Sequence, residues 1–257
     1  MQLVGGGNKM KFFSKSDIGL VRTKNEDNLI VLQKYDMTLA VIADGMGGHL
    51  GGQIASKIAI ETIQLAWESI NHALLPVETE GWIRETIAKA NQDIFIYGQK
   101  NTECEGMGTT IVLALYSSDN VTIGNIGDSR CYLYEKNEFT QITEDHSFIN
   151  YLIKSGEITA EDAEHHPRKN ILTRALGTNG AVEIDLKTMQ LEKSSLLLLC
   201  SDGLYGKVDQ EFLVQQLKND STLDEKADQY IEEAKNNGGE DNISVIILQN
   251  QGSRDSK

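Results

Sequence analysis

Apolar residues recur along this chain in short runs rich in β-branched and aliphatic side chains, each bounded by turn residues. Such runs predict strands over 28–35, 38–43, 109–116, 121–126, 130–135, 182–191, 195–200 and 242–249. Two segments follow a helical period instead. Ile54, Ile58, Ile63, Trp67 and Ile70 mark one apolar stripe, and Ile83, Ile87, Ala90 and Ile94 mark a second, so two adjacent amphipathic helices are expected to pack on a sheet. A more charged helix is expected over 222–235 behind a Ser/Thr cap, with a shorter one over 210–218. Helices grouped between runs of strands predict α+β layering in place of alternating βαβ units. The stretch 146–180 breaks the rhythm, being charged, poor in strand signals and marked by His165, His166 and Pro167. It is expected to form a mostly helical excursion over the surface, either a functional lid or a structural insertion.

With 257 residues, 40% of them apolar, the chain can bury a sizeable core. No internal repeat or Pro-rich linker divides it, and it holds only two prolines, so one domain is expected over 10–250. The Gly-rich residues 1–9 are expected to be an N-terminal extension and 251–257 a polar tail. No run approaches the roughly 20 apolar residues that span a bilayer. The start lacks the basic and apolar regions of a signal peptide, so a cytoplasmic location without a membrane partner is expected. Cys104, Cys131 and Cys200 have no zinc spacing, and an odd number argues against a complete disulfide framework. A formal charge of −14 without a Lys/Arg-rich run disfavours nucleic acid.

Part of that acidity is concentrated in five motifs at element boundaries: Asn25-Glu26-Asp27, Ala43-Asp44-Gly45, Gly127-Asp128-Ser129, Ser201-Asp202-Gly203 and Glu240-Asp241-Asn242. The runs 38–43 and 195–200 lead straight into Asp44 and Asp202, so a sheet would deliver both carboxylates to its edge. Any one Asp-Gly after a strand is more often a turn than a ligand. Recurrence at five boundaries, with the doubled acids Glu26-Asp27 and Glu240-Asp241 that repel without a cation, points instead to one divalent cation site. Few His or Cys donors accompany these oxygens, which favours Mg²⁺ or Mn²⁺ over zinc or copper.

The Gly-rich loop 45–52 matches neither nucleotide-binding template. Its glycines let the backbone come close enough for the Gly45 carbonyl to join Asp44 as an oxygen donor. Arg22 is either a solvated surface residue or, beside cations, a two-pronged clamp for phosphate. His49 is either a loop histidine or a proton-transfer and water-positioning group at the rim. His146, His165 and His166 show no metal spacing and are expected on the surface.

Arg22, Asn25-Glu26-Asp27, the run from Ala43 to His49, Gly108-Thr109-Thr110, the run from Gly124 to Arg130, the run from Leu172 to Gly177, Ser201-Asp202-Gly203-Leu204 and Asp241-Asn242 occur in that order. In this the chain resembles the bacterial-type metal-dependent serine/threonine protein phosphatases of type 2C, over nearly its whole length. The resemblance implies an α+β fold of two stacked antiparallel β-sheets flanked by helices, an α-β-β-α sandwich with metals at one edge. It implies that Asp44, Asp202 and Asp241 hold a first Mn²⁺ or Mg²⁺, and that Glu26, Asp44 and the Gly45 carbonyl hold a second. Asp27 would support the pair, and Asp128 with Asp202 would hold a third, which bacterial members often show. Arg22 would grip the substrate phosphate, and 146–180 would be the variable flap beside the site. Met46 stands where animal members place a general-acid histidine, so His49 or a metal-bound water is considered for that role and the acid is left open.

The implied reaction is hydrolysis of phosphoserine and phosphothreonine in proteins. Attack would be direct, by a water or hydroxide bridging two cations that lower its pKa from about 15.7 towards 7. Phosphorylated proteins and an opposing serine/threonine kinase are the expected partners in signalling, with the chain a monomer. The alternative is a non-catalytic phosphoprotein-binding pseudophosphatase, whose signature would be lost metal carboxylates; all are present here. A two-metal nuclease is disfavoured by the net charge.

Overall fold

The period-two alternation of the apolar runs builds two antiparallel sheets that share one core. In the computed structural model, which describes residues 10–47, 50–164, 166–168 and 170–252, the strands are β1 (Met10–Asp17), β2 (Asp27–Lys34), β3 (Met37–Met46), β4 (Gly108–Thr109), β5 (Ile111–Ser117), β6 (Asn120–Ile126), β7 (Arg130–Glu135), β8 (Glu138–Gln141), β9 (Asp185–Gln190), β10 (Leu196–Cys200) and β11 (Ile243–Asn250). The helices are α1 (Gly51–Glu68), α2 (Pro76–Lys100), α3 (Phe148–Ser155), α4 (Ala160–Glu164), α5 (Asp202–Tyr205), α6 (Gln210–Lys218) and α7 (Leu223–Asn236). One sheet runs β1-β11-β10-β7-β8 and the other β2-β3-β5-β6-β9, with β4 paired to the end of β3. The expected N-terminal extension 1–9, most of the expected tail, His49 and His165 lie outside the described residues.

Alternate side chains of the central strands enter different layers. Leu39, Val41 and Ala43 pack with Ile63, Ile83, Ile87 and Ile94 beneath α1 and α2. Their neighbours Ala40 and Ile42 face the gap between sheets, where Val112, Ala114, Leu197, Leu199 and Ile246 complete an inner core. Leu198, Cys200, Val245 and Ile247 face the other way, onto Leu213, Tyr230 and Ile231 of the second helical layer. Burial on both faces explains why these strands read as continuous apolar runs. Fully burying one such Leu or Ile contributes roughly 1.5–3 kcal/mol, so these layers dominate the stability.

Three hairpins turn on residue pairs with positive φ, namely Tyr35-Asp36 (51°, 59°), Ser118-Asp119 (52°, 65°) and Lys136-Asn137 (53°, 67°). This is the primed two-residue turn that matches strand twist, and its second position is filled each time by Asp or Asn, which tolerate the left-handed region. The register places Asp27 opposite Asp44, Cys200 opposite both Val245 and Arg130, and Asp17 opposite Ile243. The starts of β2, β7 and β11 and the ends of β3 and β10 therefore share one end of the sandwich.

The sheet edges and the 146–180 excursion depart from expectation. β1 and β8 carry no strand signal in the sequence: β1 is an edge strand whose Phe12 and Phe13 are mixed with Lys11, Ser14 and Lys15, and β8 is mostly exposed. Among the described residues of 146–180 only α3 and α4 are α-helical, and the strand expected over 182–191 narrows to β9. The small cluster of Ile149, Leu152 and Ala163 is too little apolar surface to support more helix. Among the described residues no helix is long and apolar enough to cross a membrane.

Candidate functional site

Each acidic motif is held at this end by backbone bonds that its neighbours supply. The Asp44 carbonyl accepts from the Thr110 N–H (2.8 Å) and from Thr109 Oγ1 (2.8 Å), and the Asp44 N–H donates to Thr110 Oγ1 (3.1 Å). Gly108-Thr109-Thr110 thereby serves as a buckle on Asp44. Gly45 N–H donates to the Glu26 carbonyl at 3.2 Å. A Cβ on Gly45 would come within 2.1 Å of the Gly52 carbonyl oxygen, so glycine alone permits β3 and the start of α1 to touch here. The Glu26 carboxylate lies beside Gly52, in the first turn of α1, where a helix N-terminus favours negative charge.

Asn242 ties the loop carrying Arg22 to the start of β11. Its Nδ2 donates to the carbonyls of Ile18 and Lys24, both at 3.0 Å, and its Oδ1 accepts from the Glu26 N–H at 2.8 Å. Arg22 and Asp241 are thus brought face to face, Nη2 donating to Oδ2 at 2.8 Å. Asp27 points into the interior, where Ser201 Oγ donates to its Oδ2 at 2.8 Å. Asp202 opens α5, and its carboxylate comes close enough to Asp44 for each to act on the other's charge.

The electrostatics record how closely these acids are crowded. Burial, and then the charges of Asp27, Asp202, Asp128 and Asp241, push the Asp44 carboxyl well above its ordinary value. Burial pushes Asp27 up to about 7 against the bonds from Ser244 and Ser201, with Asp202 and Asp241 adding to the rise. Asp128 is likewise pushed up to about 7 by burial, Asp202 and Asp145, and Asp202 is raised by burial and Asp241. Burial also raises Glu26, while Arg22 opposes it. Burial works against the Arg22 charge, but Asp241, Glu26 and Asp202 outweigh it and hold the guanidinium ionised. As arranged, no three or more His, Cys, Asp or Glu side chains among the described residues form a group that could hold a metal ion.

Arg22, Glu26, Asp27, Asp44, Gly45, Asp128, Asp202 and Asp241 are therefore gathered at one end of the sandwich, and His49 lies outside the described residues. Beside them an open groove of about 380 Å³ is lined by Met46, Leu172, Arg174, Ala175, Val182 and Glu183. One expectation is corrected: His146 is buried, 7% exposed, because its ring nitrogens bond to the Gly127 N–H (3.1 Å) and to Asp185 Oδ2 (3.0 Å). His166 is only partly covered, near the ring of Phe148. Sequence reasoning also left Arg130, Asp145 and Tyr205 without roles. Arg130 binds Asp145 through three hydrogen bonds of 2.7–3.1 Å and stacks on the Tyr205 ring at 3.6 Å, near enough to Asp128 for its charge to act there.

A family model described as Protein phosphatase 2C matches residues 21–246. The "Serine/threonine phosphatase stp" of Listeria monocytogenes serovar 1/2a is 44% identical over 236 residues, covering 91% of this chain and 94% of that protein. The crystal structure of the serine/threonine phosphatase Stp1 from Staphylococcus aureus superposes with a TM-score of 0.89 at 36% identity, covering 98% of each chain. A structure of the catalytic domain of serine threonine protein phosphatase PstP in complex with 2 manganese ions gives a TM-score of 0.79 at 32% identity, covering 93% of this chain and 97% of that one.

Proposed function

The chain belongs to the protein phosphatase 2C family, and from that membership we propose that it is a metal-dependent serine/threonine protein phosphatase acting on phosphoserine and phosphothreonine in proteins. The observation that carries this reading is the convergence of Glu26, Asp27, Asp44, Asp128, Asp202 and Asp241 on one sheet end beside Arg22. Carboxylates crowded until burial and mutual repulsion raise their pKa values are a poor arrangement for an acidic protein on its own, but an all-oxygen donor set of this kind fits Mn²⁺ or Mg²⁺. Asp44, Asp202 and Asp241 would hold a first cation, Glu26, Asp44 and the Gly45 carbonyl a second, and Asp128 with Asp202 a third. When bound, the cations supply acidified water at neutral pH and offset phosphoryl charge.

The chain's own residues then perform the binding and positioning. Arg22 would exchange its bond to Asp241 for the substrate phosphate, which its planar fork suits. Asp27 would brace the edge from within through Ser201. The 146–180 stretch would act as a flap, its Leu172 and Arg174 forming with Met46 the groove that receives the polypeptide beside the phosphorylated residue. A cytoplasmic monomer opposing a serine/threonine kinase is the cellular setting this reading favours.

The test is hydrolysis of phosphothreonine peptides, with phosphotyrosine peptides as control, before and after exhaustive chelation. Turnover should vanish with the chelator and return with Mn²⁺, and Asp202→Ala should lower it by at least about 10²-fold, the scale of losing one electrostatic group at a reacting phosphate. Full turnover after chelation would remove the cations from the mechanism. Phosphopeptide binding without turnover would instead favour the binding-module alternative.

A further inference from the structure

The turn between β6 and β7 carries Asp128, and its preceding residue, Gly127, has both peptide groups tied to one segment. The Gly127 carbonyl accepts from the His146 N–H at 2.9 Å and from Asn125 Nδ2 at 3.3 Å, while the Gly127 N–H donates to His146 Nδ1 at 3.1 Å. Gly127 sits at φ +97°, and a Cβ there would meet Thr110 Cγ2 at 2.6 Å, so this turn has one backbone path available to it. An N–H can only donate. His146 Nδ1 is therefore bare, and the ring proton resides on Nε2, which donates to Asp185 Oδ2 at 3.0 Å. Asp185 is in turn held by Arg174 Nη1 at 2.6 Å. The buried ring is thus locked in one tautomer from both sides.

We propose that His146 is the positioning residue for Asp128, its Nδ1 holding the Gly127 peptide so that the Asp128 carboxylate stays turned towards Asp202 and the cation edge. The proposal rests on the reading of Asp128 as a cation-holding residue. Asp128 follows Gly127 directly in the turn, so any rotation of the Gly127 peptide is passed to its carboxylate. Groups bonded directly to a cation donor typically change affinity by about 10–100-fold when removed, and His146, acting through the neighbouring Gly127, should fall at the low end of that range. A purely structural histidine would instead matter for its bulk, whichever nitrogen was replaced.

Two near-isosteric replacements separate these roles. In His146→Asn the amide oxygen takes the place of Nδ1 and still accepts from Gly127; in His146→Gln the amide nitrogen takes the place of Nε2 and keeps only the bond to Asp185. Calorimetric Mn²⁺ titration of the full chain should show Asp128→Ala losing the weakest binding event. The same event should weaken by about tenfold in His146→Gln and by less than about threefold in His146→Asn. At fixed Mn²⁺, kcat on a phosphothreonine peptide should fall in His146→Gln with KM nearly unchanged, and His146→Asn should restore it. Equal losses in both variants, or no loss in His146→Gln, would overturn the positioning role. Identical titrations for the wild type and Asp128→Ala would instead remove the underlying reading of Asp128, and the proposal with it. Imidazole ¹⁵N spectra of the wild type need no variant to fold, and a proton on Nδ1 would also overturn the proposal.

Discussion

Two arginine–aspartate pairs stand at the same end of the sandwich and teach opposite lessons. Arg22 meets Asp241 through a single hydrogen bond of 2.8 Å, and the two side chains keep 48% and 37% of their exposure. Arg130 meets Asp145 through Nε and Nη2, adds a bond from Nη1 to Tyr132 Oη at 3.0 Å, and lies flat on Tyr205; these side chains keep only 25% and 14%. Burial works against the charge of Arg130, yet the bonds it donates to Asp145 hold it ionised. The ion pair is the same, but one is bound on every side and the other can be exchanged. If Arg22 takes up a phosphate as proposed, its pair must be of the second kind; Arg130, fixed by Asp145, Tyr132 and Tyr205, is of the first.

The largest expected effect falls on the locked pair. Arg130→Ala leaves the half-buried Asp145 without its arginine and should cost about 3 kcal/mol of stability, near the low end for broken buried pairs because some exposure and the Gln141 bond remain. For a domain of this size that lowers Tm by roughly 6–12 °C, measurable by scanning calorimetry. Arg130→Lys keeps the charge but not the planar fork, so it should recover only part of the loss. If Arg130→Ala shifted Tm by less than Arg22→Ala does, the locked and exchangeable assignments would be reversed.

A smaller effect, of a different kind, is expected at the exchangeable pair. Exposed pairs contribute about 0–1 kcal/mol, so Arg22→Ala should move Tm by no more than about 3 °C. Its cost should appear in KM for a phosphothreonine peptide, raised by about tenfold through loss of a charge-assisted bond to phosphate. An unchanged KM in steady-state kinetics would show that Arg22 serves Asp241 alone.

The sequence disclosed the exchangeable region better than the locked one. Asp44 and Asp202 were legible because an apolar strand has no reason of its own to end in a carboxylate, and the sandwich itself came from the family resemblance more than from any spacing. Glu26 and Asp27 were legible as a pair but not as separate groups. Alternation along the chain sends Glu26 to the first turn of α1 and Asp27 inward to Ser201, which depends on the register of β2 against β3. His146 was misplaced on the surface because its burial is decided by Gly127, 19 residues away, and by Asp185, 39 residues away. β1 was missed because an edge strand alternates weakly. Periodicity sees which face is apolar; it does not see which polar groups meet across the fold.

The comparison also predicts where stability should depend on pH. The end that both pairs share holds Asp27 and Asp128, both pushed up to about 7, first by burial. In the unfolded chain such carboxyls titrate near about 3.9, so between these values the folded form carries the extra protons. The raised groups therefore stabilise the fold fully below about 4, and their contribution declines as pH rises and is lost on passing about 7. In the presence of chelator, Tm should fall by roughly 5–10 °C from pH 6 to pH 8, about 1.4 kcal/mol for each of the two carboxyls. Mn²⁺ should reverse the sign, since it binds the ionised acids and stabilises most at the higher pH. Arg130→Ala should lower the whole curve while keeping its slope, and Asp128→Asn should flatten it. A chelated Tm that rises from pH 6 to pH 8 would mean the crowded carboxylates are already ionised in the folded protein, and that Arg22 alone is enough to hold them together.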